Sequence, residues 1–194
     1  MAYELASERL EQIYAEYRKI AYPYLLVDAS RRGAGRDGDT EAVYGTTPAP
    51  TVLQLLEFGG ATADDVFYDL GCGLGVPTIV AAHFCKRSIG IEFLPEVAEK
   101  AREVARGLNI DNAVFELNDY KSADVSLGTL IYCYSTCMRA QSRVEVAESV
   151  SRARPGTRIL TVTHNFEHPE LEMKEKRELS WEGSSHTVYL HLRK

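Results

Sequence analysis

The stretch Val66-Phe67-Tyr68-Asp69-Leu70-Gly71-Cys72-Gly73-Leu74-Gly75 constrains the fold more than any other part of the chain. It reads as a buried strand that ends in an acid and then turns through three alternating glycines. A second short apolar run, Ile89-Gly90-Ile91-Glu92, follows and also ends in an acid. A strand, a glycine turn, a helix and a second strand make the opening unit of a doubly wound α/β sheet. In such sheets ligands bind beyond the carboxyl ends of the central strands.

The rest of the chain agrees with that opening. Pro77 opens a helix running through His83, the next strand covers Ser88 to Glu92, and Pro95 opens another helix. Val97, Ala98, Ala101, Val104, Ala105 and Leu108 form one apolar face of that second helix. Further strands are expected over Ala113 to Leu117, Thr129 to Tyr134 and Arg158 to Val162, with a helix around Arg143 to Ala153. The pattern then changes. Glu178 to Trp181 and Thr187 to Leu192 read as two strands joined by a turn at Glu182-Gly183-Ser184, a hairpin rather than another crossover unit. The expectation is a Rossmann-like, mostly parallel seven-stranded sheet closed by a C-terminal antiparallel hairpin.

Upstream, Leu10, Ile13, Tyr14, Tyr17 and Ala21 recur at helical spacing and predict a helix over roughly residues 4 to 20. Ser30 to Asp39 reads as a polar, glycine-rich loop, equally a linker or a lid. Thr47-Pro48 is suited to cap a helix bearing Val52, Leu53, Leu55 and Leu56, which Gly59-Gly60 stops. Residues 1–42 thus form a helical extension and loop, and 43–194 one compact domain. A length of 194 residues with 45% hydrophobic content fits that division.

Charge and cysteine usage narrow the function. The formal net charge is -6 and no basic stripe is visible, which argues against a direct nucleic-acid partner. No run of about 18 apolar residues suggests a membrane span, and Met1 to Leu5 lacks the pattern of a signal peptide. Cys72, Cys85, Cys133 and Cys137 fall at no zinc-site spacing, and His164 and His168 find no evident partners, so no metal is expected. Reduced thiols and the missing leader fit a cytoplasmic protein.

The glycine turn departs from the dinucleotide fingerprint. The third glycine comes one position early, Val76 takes its usual place, and Asp69 stands two residues ahead of the first glycine. A carboxylate there repels a pyrophosphate but suits a ligand with an amine and a sulfonium. S-adenosylmethionine is such a ligand, and glycines let the backbone approach it closely. Glu92 is placed to accept both ribose hydroxyls, with Phe93 beside it. Asn118, Asp119 and Tyr120, after the third strand, are placed for the adenine.

These residues resemble the seven-strand (class I) methyltransferases. More narrowly they resemble the disruptor-of-telomeric-silencing family, the histone-lysine methyltransferases without a SET domain, and its small prokaryotic relatives. Val43-Tyr44-Gly45-Thr46-Thr47, the Asp64 to Gly73 stretch, Ser180-Trp181-Glu182-Gly183 and Tyr189-Leu190-His191 carry the resemblance. It implies that Tyr44, Gly45 and Thr47 close over the methionine end of the cofactor, with Asp69, Gly71 and Gly73 beneath it. It also implies that Phe166 and Trp181 lie near the acceptor. Two positions depart from the family pattern: Ser135 stands where an asparagine is usual, and Val188 where a channel tyrosine is usual.

The resemblance implies a protein-lysine acceptor. A lysine amine, with an unperturbed pKa of about 10.4, must lose a proton before it can attack, and an apolar channel favours its neutral form. Tyr134, Ser135 and Tyr189 are the polar groups expected beside it, with no dedicated base. A small-molecule N- or O-methyltransferase, or a protein that binds the cofactor without transferring its methyl group, are the alternative readings.

Overall fold

The computed structural model describes residues 4–36, 39, 41 and 45–194. Two helices lead the chain, α1 (Ser7–Arg18) and α2 (Pro23–Gly33), followed by α3 (Ala49–Phe58). Strand and helix then alternate: β1 (Val66–Leu70), α4 (Val76–Ala81), β2 (Arg87–Glu92), α5 (Pro95–Gly107) and β3 (Ala113–Leu117). The second half runs β4 (Leu130–Tyr134), α6 (Ala140–Ser151), β5 (Arg158–Val162), β6 (Leu171–Trp181) and β7 (Ser184–Arg193). Among the described residues seven strands form one sheet, in the order β3-β2-β1-β4-β5-β7-β6. The first five are parallel, and β7 pairs antiparallel with both β5 and β6. This is the Rossmann-like sheet with a terminal hairpin that the sequence pattern predicts.

Alternation along the strands splits the core into two layers. Phe67, Leu130, Tyr132, Leu160, Val162 and Val188 face α3, α4 and α5, while Tyr68, Ile89, Ile91, Ile131, Cys133 and Ile159 face α6. Ile13 of α1 is fully buried in the first layer. The order reverses at β1 and β4, so the crevice above their carboxyl ends is the topological switch point.

Three expectations need correction. Ser30 to Gly33 belong to α2 and not to a loop; Ser30 and Val27 are buried, and Arg31 pairs with Asp28 one turn back at 3.1 Å. Thr47 does not cap α3, whose N-cap is Pro48 with no side-chain bond, because the Thr47 hydroxyl is instead 2.7 Å from the Tyr132 hydroxyl. The last turn holds two residues, Glu182 and Gly183, since Trp181 pairs directly with Ser184. Gly59 and Gly60 do end α3, with Gly60 at φ 60°.

Candidate active site

The chain leaves β1 through Gly71, Gly73 and Gly75 at φ 79°, 53° and 85°, a left-handed path open to glycine and strained for other residues. The turn folds back over β2, where the Gly71 and Cys72 amides donate to the Ile91 carbonyl at 3.0 and 2.9 Å. Gly90 makes this possible. A Cβ there would stand 2.7 Å from the Cys72 sulfur and 2.8 Å from the Thr78 hydroxyl. An isolated glycine inside a strand signals such close approach, and the sequence offered that signal.

Asp69 ends β1 on the α4 side and is buried, accepting a hydrogen bond from the Thr78 hydroxyl at 2.8 Å. Burial pushes its pKa up from 3.8 to about 7, and the Thr78 bonds only partly oppose this. Glu92, at the end of β2, is also buried, and burial raises its pKa too. Its carboxylate accepts three backbone amides: Gly73 at 3.0 Å on one oxygen, Phe93 and Leu94 at 2.9 Å on the other. A carboxylate offers about four acceptor positions, so one remains for a ligand hydroxyl without rearrangement.

These groups border two adjoining cavities. The larger, about 190 Å³, is lined by Gly45, Gly71, Gly73, Glu92, Phe93, Tyr120 and Tyr134, together with Glu41, Leu94 and Met138. The smaller, about 20 Å³, lies beside Asp69, Thr47, Tyr132 and Tyr134, and shares Gly45, Gly71 and Tyr134 with the first. Among the described residues no Lys or Arg lines either cavity, the Arg36 guanidinium lying over the Phe93 ring at 4.5 Å. Two buried carboxylates, a glycine turn and no lining cation suit a ligand bearing an amine and a diol, and suit a diphosphate badly.

The other expected residues divide. Tyr44 lies outside the described residues. Asn118 is exposed and Asp119 half-buried, the latter accepting from the Lys121 amide at 3.0 Å, and neither lines either cavity. Tyr134 does line both. Its ring stands 6.2 Å from Trp181 and 6.1 Å from His186, and His186 stacks on Trp181 at 3.7 Å. Burial pushes the Tyr134 hydroxyl up, partly opposed by a bond with Thr136, so it stays protonated. Thr136 in turn is 2.7 Å from the Thr163 hydroxyl, and Thr163 holds a strained φ of 75° just beyond β5.

Ser135 and Tyr189 are placed differently from expectation. The Ser135 hydroxyl donates to the Val162 carbonyl at 2.5 Å, on a fully buried side chain that lines neither cavity. Tyr189 sits on the opposite sheet face from Trp181, its ring 6.3 Å from His191, which is itself 6.3 Å from Phe166. Phe166 therefore belongs to the α6 side and Trp181 to the α3 side.

Glu41, Tyr132, Thr78 and Met138 were not singled out by sequence reasoning. Glu41 carries no local signal. It reaches across to accept from the Arg139 amide and the Ser142 hydroxyl at 2.5 and 2.9 Å, contacts of high sequence separation. Among the described residues, no group of three or more His, Cys, Asp or Glu is arranged to hold a metal.

Residues 61–189 match the family model described as Methyltransferase domain. A protein-lysine N-methyltransferase of Saccharolobus islandicus is 28% identical over 153 residues, covering 77% of this chain and 92% of that one. An uncharacterised RNA methyltransferase of Chlorobaculum tepidum is 38% identical over 69 residues, but these span 14% of its length. In three dimensions the chain is similar to the crystal structure of an RNA methyltransferase from Salinibacter ruber in complex with S-adenosyl-L-homocysteine. That match has a TM-score of 0.65 and 28% identity, and covers 77% of this chain and 95% of that one.

Proposed function

We propose a protein-lysine acceptor for this chain, which belongs to the methyltransferase-domain family and is an S-adenosylmethionine-dependent methyltransferase. The observation that carries the acceptor reading is an aromatic cluster at the mouth of the site, in which Tyr134 lines both cavities and Trp181 and His186 stand against its ring. The Saccharolobus islandicus relative, matched over nearly its full length, supports it. The four free cysteines suit a reducing, cytoplasmic setting.

The cofactor supplies an electrophilic methyl group on a sulfonium. Asp69 and the Gly71–Gly75 turn would hold its amine-bearing end, Glu92 a ribose hydroxyl, and Phe93 and Tyr120 the walls of the base. Tyr44, Asn118 and Asp119 would complete this set. Aromatic faces at the mouth attract a cation, and burial among them then favours the neutral amine that reacts. The chain needs to fix that amine in line behind the methyl group and to exclude water, which is positioning rather than acid–base work. The Tyr134 hydroxyl, oriented by Thr136, is the polar group best placed to orient the amine.

A nucleic-acid acceptor is the second reading, favoured by the Salinibacter ruber structure and opposed by a net charge of -6 with no cation among the described residues lining either cavity. Methyl-labelled cofactor offered separately to a basic-protein mixture, total RNA and small amines separates them. Label in protein lysines is expected; label confined to RNA or to metabolites overturns the reading.

A further inference from the structure

The tip of the β6–β7 hairpin carries a glutamate at a position that does not favour one. Trp181 pairs with Ser184, leaving Glu182 and Gly183 as a two-residue loop with φ 51° and 76°. A loop with both central residues left-handed takes Asn, Asp or Gly most readily, and a glutamate there is strained. Glu182 is exposed, and no hydrogen bond or ion pair engages its carboxylate among the described residues. Its hairpin neighbours are engaged: Glu172 with Lys174, Glu175 with Arg177, and Glu178 with Ser185 and Thr187.

Glu182 has aromatic and aliphatic neighbours. It follows Trp181 directly, and its charge is felt at the Tyr134 hydroxyl. It also lines a groove of about 310 Å³, whose walls include Tyr14, Tyr17 and Tyr24. Thr46, Leu74 and Val76 line both this groove and the small cavity beside Asp69. Among the described residues no Lys or Arg lines the groove either. Among the described residues, this apolar, partly aromatic groove thus carries the free carboxylate of Glu182 in its lining.

We infer that Glu182 is a specificity-determining residue, which receives the cationic side chain of the acceptor at the rim of the aromatic mouth. The inference rests on the protein-lysine reading. A protonated amine approaching a sulfonium is repelled, and an anion at the rim offsets that repulsion. The amine then leaves Glu182 and gives its proton to solvent water before entering the site, because a neighbouring carboxylate favours the charged form. Glu182 therefore acts on capture, not on the transfer step.

Steady-state methylation of the protein that the wild type labels in a basic mixture tests this, run from low to high salt. The set comprises wild type, Glu182→Gln, Glu182→Asp and the charge-matched control Glu175→Gln. Glu182→Gln should raise KM for the acceptor about threefold to fivefold at low salt, the scale of an exposed ion pair. The difference should vanish at high salt as screening takes over. kcat and adenosylmethionine affinity should move less than about twofold, and Glu182→Asp should restore most of the KM. An acceptor KM in Glu182→Gln equal to that of Glu175→Gln refutes the role of Glu182 alone. A rise that persists at high salt refutes it too, as a packing effect. A wild type that labels no protein overturns the lysine reading, and the inference falls with it.

Discussion

Asp69→Asn should make the cofactor-free protein more stable at alkaline pH and less stable at acid pH. The Asp69 carboxylate is buried with a pKa raised from 3.8 to about 7. Between those values the folded state holds a proton that the unfolded state has released, so stability falls as pH rises and the full penalty is present above pH 7. A shift of about 3 units corresponds to about 4 kcal/mol as an upper figure. Asparagine removes that penalty but places an amide N–H pair among groups that donate, the Thr78 hydroxyl and amide, costing about 1–3 kcal/mol at every pH. The two terms oppose each other only where Asp69 is ionised. At pH 8 the variant should gain about 1–3 kcal/mol, about 2–12 °C in Tm for a chain of this size, and near pH 4.5 it should lose a similar amount.

The assay is thermal unfolding of both proteins from pH 4.5 to 8.5, with and without saturating adenosylmethionine. Without ligand the two Tm curves should cross. With ligand the wild type should rise at pH 8 and the variant should not, because the cationic amine loses its counter-charge. Affinity of the wild type should weaken as pH falls below about 7, since binding then requires Asp69 to give up its proton. Parallel Tm curves across this range would refute the burial argument. Equal ligand shifts in both proteins would refute the placement of Asp69 against the amine.

Gly90→Ala places a Cβ within 2.7 Å of the Cys72 sulfur; it should cost about 1–3 kcal/mol by denaturant titration and weaken cofactor binding through the displaced turn. Glu92→Ala strips the acceptor from three backbone amides. It should cost at least about 2 kcal/mol and more than about tenfold in cofactor affinity by calorimetry, Glu92→Gln being milder. Ser135→Ala should lose about 1 kcal/mol with its bond to Val162 yet keep cofactor affinity, whereas Tyr134→Phe, which keeps the ring and removes the hydroxyl, should lower kcat/KM for the acceptor more than about tenfold with little change in Tm. Equal kinetic losses in the Ser135 and Tyr134 variants would contradict the placement of the two side chains.

Features set by local periodicity were legible in the sequence. The strand ends at Asp69 and Glu92, the proline-opened helices and the strand Arg158–Val162 all follow from apolar spacing and turn residues. Two elements escaped for physical reasons. The helix Pro23–Gly33 was obscured by the glycines that follow its buried Val27 and Ser30. The first half of β6 reads as solvated because Glu172, Lys174, Glu175 and Lys176 are charged, as befits an exposed edge strand. Contacts such as Thr47 with Tyr132, 85 residues apart, leave no local trace at all.

The acceptor side turns on the length of one loop. A three-residue turn at Glu182-Gly183-Ser184 would pair Trp181 with Ser185 and bring Thr187 and Tyr189 onto the face of Trp181. The observed two-residue turn pairs Trp181 with Ser184, Leu179 with His186 and Arg177 with Val188. A one-residue shift moves every side chain to the other face. His186 and Val188 therefore join Trp181, and Tyr189 goes to the side of His191 and Phe166. The aromatic complement of the mouth comes from His186 stacked on the indole, at a position where the sequence placed only a turn-proximal polar residue. Because Gly183 and the strained Glu182 fix that register, the same two residues that set the parity of the hairpin also set which side chains meet the acceptor.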